Sequence, residues 1–135
     1  MICLDTNVVI AAINLRPAWI RARLDDELAA GTLIGVPVVV LFEMHYGVAK
    51  SDRPAKSEAG LRAFLALDVT PLPFEAEDAR HAGDIRAHLE GLGTPIGHYD
   101  YLVAAQARRH GAALVTRNRR EFDRVPGLLV TDWAP

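Results

Sequence analysis

The stretch "ICLDTNVVIAAI", residues 2–13, decides how the chain is read. Ile2 to Leu4 form a short apolar run suited to a buried strand. Asp5, Thr6 and Asn7 then supply three side chains that cap helices, and "VVIAAI" continues as an apolar helical run. The chain thus opens as strand, turn and helix, with a carboxylate at the turn. Outward from there the alternation repeats. Pro17 opens a second helix in which Trp19, Ile20, Leu24 and Leu28 recur at helical spacing until Gly31 ends it. "TLIGVP" reads as a strand, and residues 38–50 as a helix, because Val40, Met44 and Val48 keep a period of four. "SDRPAKSEAG" reads as a polar loop entering a helix that runs through Leu67, and "DVTPLP" as a strand whose prolines confine it to an edge or an end. Residues 74–90 form an amphipathic helical pattern broken by "GLGTPIG", and residues 98–110 form the next. "AALVT" is a buried strand, "NRREF" a helical turn and "GLLVTDW" a last strand. Short strands alternating with helices predict an α/β fold: a short, mostly parallel sheet flanked by helices as an α/β/α sandwich, in one domain over residues 1–135.

Bulk properties bound the function without naming it. Of 135 residues, 50% are hydrophobic and 24% charged, with a net charge of −2, so no basic excess advertises a polyanion partner. Cys3 is the only cysteine, which excludes an intrachain disulfide, argues against structural zinc and suits a reducing cytoplasm. No basic segment precedes the first apolar run, and no run approaches the ~20 residues of a membrane span. Neither Sec export nor membrane insertion is expected.

Three acids stand alone. Between Leu28 and Ala49, Glu43 is the only Asp, Glu, Lys or Arg. A carboxylate in so apolar a setting needs a compensating partner. Asp5 ends the first strand, and Asp100 begins a helix directly after a glycine-rich turn. Each has an ordinary reading: a cap, a complement to the helix dipole, an exposed helix position. Together they form the kind of carboxylate set that holds Mg²⁺ or Mn²⁺. In a parallel α/β sheet, ligands gather at the carboxyl ends of the strands. Asp5 and Asn118, which follows "LVT", share that edge if their strands are parallel neighbours.

Four stretches carry a family resemblance: "LDTN" at 4–7, "EMHYGVAKS" at 43–51, "PIGHYDYLVAAQA" at 95–107 and "LVTRNRREFDRVPGLLVTDW" at 114–133. In this order they resemble the PIN-domain ribonuclease toxins of the VapC family. "WIRARL" and "HAGDIRAHL" are similar to the enterobacterial VapC subgroup, whose target is the anticodon stem-loop of initiator tRNA. The resemblance implies a Mg²⁺-dependent endoribonuclease, with Mn²⁺ as substitute, that hydrolyses RNA to a 5′-phosphate and a 3′-hydroxyl. It implies metal contact for Asp5 and Asp100 and a third site acid in Glu43. Asn118 matches a position that is often Asp, which leaves a second metal open, and Glu121 is placed to restore part of that charge. Thr6, Asn7 and Thr116 match polar residues that hydrogen-bond the ligating acids. A VapB-type antitoxin and a homodimer are the implied partners.

The positive charge is almost all arginine, which suits bidentate phosphate contacts. Arg117, Arg119 and Arg120 flank Asn118 and are candidates to meet the RNA backbone, or form a solvated loop with salt bridges. The apolar helices "PAWIRARL" and 38–49 serve either as partner surfaces or as core. Two rival readings remain. A receiver-like phosphotransfer domain needs an acidic pair at the first strand and a late lysine, and no lysine follows Lys56. A catalytically degenerate PIN-fold module that binds RNA or protein draws its support from Asn118.

Overall fold

The computed structural model describes all residues, 1–135. Strand β1 (Ile2–Leu4) leads into α1 (Thr6–Asn14) and α2 (Ala18–Ala29). Strand β2 (Ile34–Pro37) is followed by α3 (Val38–Ala49) and α4 (Pro54–Leu65), and β3 (Val69–Leu72) by α5 (Ala76–Gly91) and α6 (His98–Arg109). Strand β4 (Ala113–Val115), the single turn α7 (Arg119–Phe122) and β5 (Leu129–Thr131) complete the chain. The sheet runs β3-β2-β1-β4-β5 with every pair parallel, so it is wholly rather than mostly parallel. From β1 the chain builds outward in one direction through β2 and β3, then crosses to β4 and β5 on the other side. The strand order therefore reverses between β1 and β4, where crevices form at the carboxyl edge of such sheets.

Periodicity accounts for most of this. One core of 29 buried residues joins the strand interiors to the inner helix faces. Among the boundaries that differ from the sequence reading, two helix starts have a clear cause. α4 begins at Pro54, inside the stretch read as loop, because proline at the first helical position is pre-set for the helix and keeps the preceding Arg53 out of the helical region (φ −128°, ψ 68°). α5 begins at Ala76, where Glu75 and Asp78 form a reciprocal capping box. β3 lies at the sheet edge, one of the two placements Pro71 allows. Gly35 leaves room on β2 for the Leu72 side chain of the paired β3: a Cβ there would stand 2.7 Å from Cδ1 of Leu72.

Two polar side chains anchor α6, the helix that begins beside Asp100. Gln106 is fully buried, and its Nε2 donates to the carbonyls of Leu72 (2.9 Å) and Pro73 (3.2 Å), tying α6 to the end of β3. Asp78 on α5 is also fully buried and accepts from Arg109 on α6. Burial alone would raise the Asp78 carboxyl. The hydrogen bonds from Arg109 and the Glu75 backbone, with the charges of Arg109 and His110, outweigh it and hold the group below its ordinary value. Removing the cation strands a buried carboxylate. Arg109→Ala is therefore expected to lower stability by about 3 kcal/mol at pH 7 in urea unfolding. A depressed carboxyl stabilises the fold above its unfolded pKa, so the wild-type advantage over the variant should fade as pH falls below about 4.

Candidate active site

The carboxyl ends of β1 and β4 lie side by side, with Leu4 opposite Val115. Asp5 leaves β1 as the N-cap of α1. Its Oδ1 accepts from the Thr6 backbone N–H (2.8 Å) and its Oδ2 from the Thr116 hydroxyl (2.8 Å). The Thr6 hydroxyl donates to Oε1 of Glu43 on α3 at 2.9 Å. On the other side the Asn118 backbone N–H donates to Thr116 Oγ1 (2.9 Å), and the Asn118 side-chain amide donates to Glu121 Oε2 (2.9 Å). A continuous polar run thus links Glu43, Thr6, Asp5, Thr116, Asn118 and Glu121. Asp100, in the first turn of α6, faces this run electrostatically.

Asp100 is half-buried, and its carboxyl is pushed up to about 7. Burial contributes most, followed by the negative charges of Asp5, Glu121 and Glu43 and a hydrogen bond with Glu121. Burial also raises Asp5, against the hydrogen bonds from Thr116 and Thr6. None of the four acids is ion-paired with a lysine or arginine. Four carboxylates without a basic side chain form an all-oxygen donor set short of positive charge, which fits a hard divalent cation. No three of them converge into a closed cage. An ion held here would touch one or two carboxylates and keep water on its other positions.

The residues singled out in the sequence fall into two groups. Asp5, Glu43, Asp100, Asn118, Glu121, Thr6 and Thr116 come together. Asn118 acts as the donor that steadies Glu121, whose charge reaches Asp100. Asn7 is not brought in: it is exposed, and its side chain bonds none of the acids. Successive helical residues are about 100° apart, so Thr6 and Asn7 cannot both face Glu43. Arg119 pairs with Asp123 at 3.2 Å, whereas Arg117 and Arg120 are exposed without a side-chain partner. The sequence reading missed Gly97, taken only as a helix breaker. A Cβ at 97 would stand 2.8 Å from Asp100 Oδ2, so glycine makes room for the carboxylate. It also missed that Phe42 and Tyr99, next to Glu43 and Asp100 in sequence, are exposed and meet edge to face with centroids 5.2 Å apart.

Residues 2–128 match the family model of the PIN domain. The chain is also 40% identical to the tRNA(fMet)-specific endonuclease VapC of Shigella flexneri over 132 residues, covering 97% of this chain and 96% of the relative. The chain belongs to the PIN-domain family, among its VapC ribonucleases. The VapC of Salmonella typhimurium, also named as tRNA(fMet)-specific, is 37% identical over 131 residues, 96% of each chain. Among solved structures, VapBC2 from Rickettsia felis bound to a promoter DNA fragment superposes with a TM-score of 0.92 at 35% identity, covering 99% of this chain and 100% of that one. PIN-domain nucleases generally depend on a divalent metal, in keeping with the unpaired acids.

Two expectations follow from the geometry. Thr116→Val removes the donor to Asp5 and should weaken Mn²⁺ binding about 10- to 100-fold by calorimetry, while Asn7→Ala leaves it unchanged. A carboxyl raised in the folded state favours the fold below its unfolded pKa and loses that advantage as pH climbs to about 7. In EDTA, Asp100→Asn should therefore melt above the wild type at pH 8, with the gap closing towards pH 4. Added Mg²⁺ should raise the melting temperature of the wild type only.

Proposed function

We propose that this chain is the toxin of a VapBC-type pair, a Mg²⁺-dependent endoribonuclease that hydrolyses a phosphodiester in tRNA, with the anticodon stem-loop of initiator tRNA as its target. The observation that carries the reading is the cluster of four acids at the switch point between β1 and β4, hydrogen-bonded in a fixed arrangement and lacking a basic partner. Asp5 and Asp100 are the residues to hold Mg²⁺, with Mn²⁺ as a substitute, and Glu43 completes the charge. Held by these residues, the ion would supply Lewis-acid polarisation of a phosphate oxygen and a lowered pKa for the attacking water. The Thr6 backbone N–H and the Thr116 hydroxyl each hold one oxygen of the Asp5 carboxylate, which fixes its orientation. Thr6 also orients Glu43, and Asn118 holds Glu121 at the rim.

The substrate is inferred from the two relatives named as tRNA(fMet)-specific endonucleases. A VapB-type antitoxin is inferred from the structural neighbours, which are VapBC assemblies. The homodimer draws support from the outer face of α3, where Val38, Phe42 and Tyr46 recur at i, i+4 and i+8 and are all exposed. Those side chains are surface, not core, while α2 divides, with Trp19 exposed and Ile20 and Leu24 buried. No helix is long and apolar enough to cross a membrane. A cytoplasmic site of action accords with this and with the free, buried Cys3.

The test is incubation of antitoxin-free protein with a tRNA pool and Mg²⁺, with products mapped by end sequencing. A single cut in the initiator tRNA anticodon loop, leaving a 5′-phosphate and a 3′-hydroxyl, is expected. It should vanish in EDTA and in Asp5→Asn and Asp100→Asn. A cut in a different RNA would keep the chemistry and discard the substrate. Absence of any metal-dependent cleavage by folded protein would leave the binding-module reading, which Asn118 favours.

A further inference from the structure

The cations of this chain divide into two populations. Arg21, Arg23, Arg62, Arg80, Arg86, Arg109 and Arg119 each pair with a carboxylate. Arg108 and Arg124 donate to backbone carbonyls, and Lys50 lies over the Tyr46 ring. Arg16, Arg53, Lys56, Arg117 and Arg120 are exposed and have no side-chain partner.

All of these except Arg120 line two clefts that share helix α1. One, of about 650 Å³, is formed by Arg53, Lys56, Ser51, Ser57 and Asp52 against Ile13, Asn14 and Gly60. The other, of about 290 Å³, brings Arg16 and Arg117 together with Asn7, Ile10 and Ala11. Between them lies a groove of about 250 Å³ that contains Glu43. It shares Ile10 with the second cleft and Ile13, Asn14 and Ser57 with the first. The result is one path over α1: two cations at each end, with Asp52 beside one pair, an apolar stretch along Ile10 and Ile13, and one acid, Glu43, in the middle. From Asn7 to Asn14 it follows about 10 Å of helix.

Charge explains why a ribonuclease needs such an arrangement. A polyanion led past Glu43 to the rim of the acidic crevice is repelled by the carboxylates, and the affinity must come from phosphates on either side of the cut. Unpaired guanidinium and ammonium groups are the side chains that supply it, since no carboxylate has first to be displaced. On the helices elsewhere, arginines are mostly committed to acids three or four residues away.

We propose that the substrate RNA backbone runs along α1, with phosphates on one side of the scissile bond held by Arg53 and Lys56 and those on the other by Arg16 and Arg117. This rests on the ribonuclease reading above. The test compares wild type, Arg53→Ala/Lys56→Ala, Arg16→Ala/Arg117→Ala and, as a control, the ion-paired Arg62→Ala. Affinity for fluorescently labelled initiator tRNA is measured by anisotropy from 50 to 200 mM KCl in EDTA, and KM and kcat for its cleavage in Mg²⁺. Each double variant should flatten the log–log salt dependence by about 1.4, from roughly 0.7 per single-stranded phosphate. KM should rise on the order of tenfold while kcat changes far less, and Arg62→Ala should match wild type. Double variants that bind and cleave as wild type does would overturn the path and leave the ribonuclease intact. A folded wild type that neither binds nor cleaves RNA would overturn both.

Discussion

The parallel pairing of β1 with β4 is the constraint on which the site depends. Its last links are the Asp5 N–H donating to the Val115 carbonyl at 3.0 Å and the Thr116 hydroxyl donating back to the Asp5 carboxylate. The two strands are far apart in the chain, and each is only three residues long. Side by side they end at the same level, so whatever follows each is delivered to one crevice. Asp5 follows the first; Thr116 and Asn118 follow the second. α1 and α7 begin there because the chain has to turn off the sheet.

Holding four carboxylates in one place works against folding. Burial raises the carboxyls of both Asp5 and Asp100, and at Asp100 the charges of Asp5, Glu121 and Glu43 add to it. Stability is supplied elsewhere: by the continuous apolar core, by Gln106 bonded to the end of β3, and by the buried Asp78–Arg109 pair joining α5 to α6. The rigid α5–α6 hairpin fixes where α6 begins and hence where Asp100 stands. This division is physically sensible, because a charge-deficient crevice is stabilised by its ligand only when the walls do not relax in its absence.

Much of the site was readable because its acids interrupt apolar surroundings. Glu43 is conspicuous in a charge-free stretch, and Asp5 and Asp100 sit at element ends, where a strand or turn gives way to a helix. The polar neighbours were harder to sort. Thr6 and Asn7 look equivalent as letters, yet only Thr6 points at Glu43. Arg117, Arg119 and Arg120 lie together and each has an acid three or four residues on, yet only Arg119 pairs with its acid, Asp123. Gly97 was hidden because the lack of a side chain shows its purpose only beside the carboxylate it accommodates.

The sequence by itself determined the order of strands and helices, the confinement of the proline-bearing β3 to an edge or an end, the mostly parallel class of the sheet and the identity of the isolated acids. These follow from period, capping and composition, which are local properties of the chain. Only the tertiary structure decided which side chains meet. Thr116 bonds Asp5 across 111 positions, Thr6 bonds Glu43 across 37, and Arg109 bonds Asp78 across 31. Such contacts depend on how each element is rotated about its own axis when it packs on the sheet, and that rotation is set by the whole core at once, not by any segment of it.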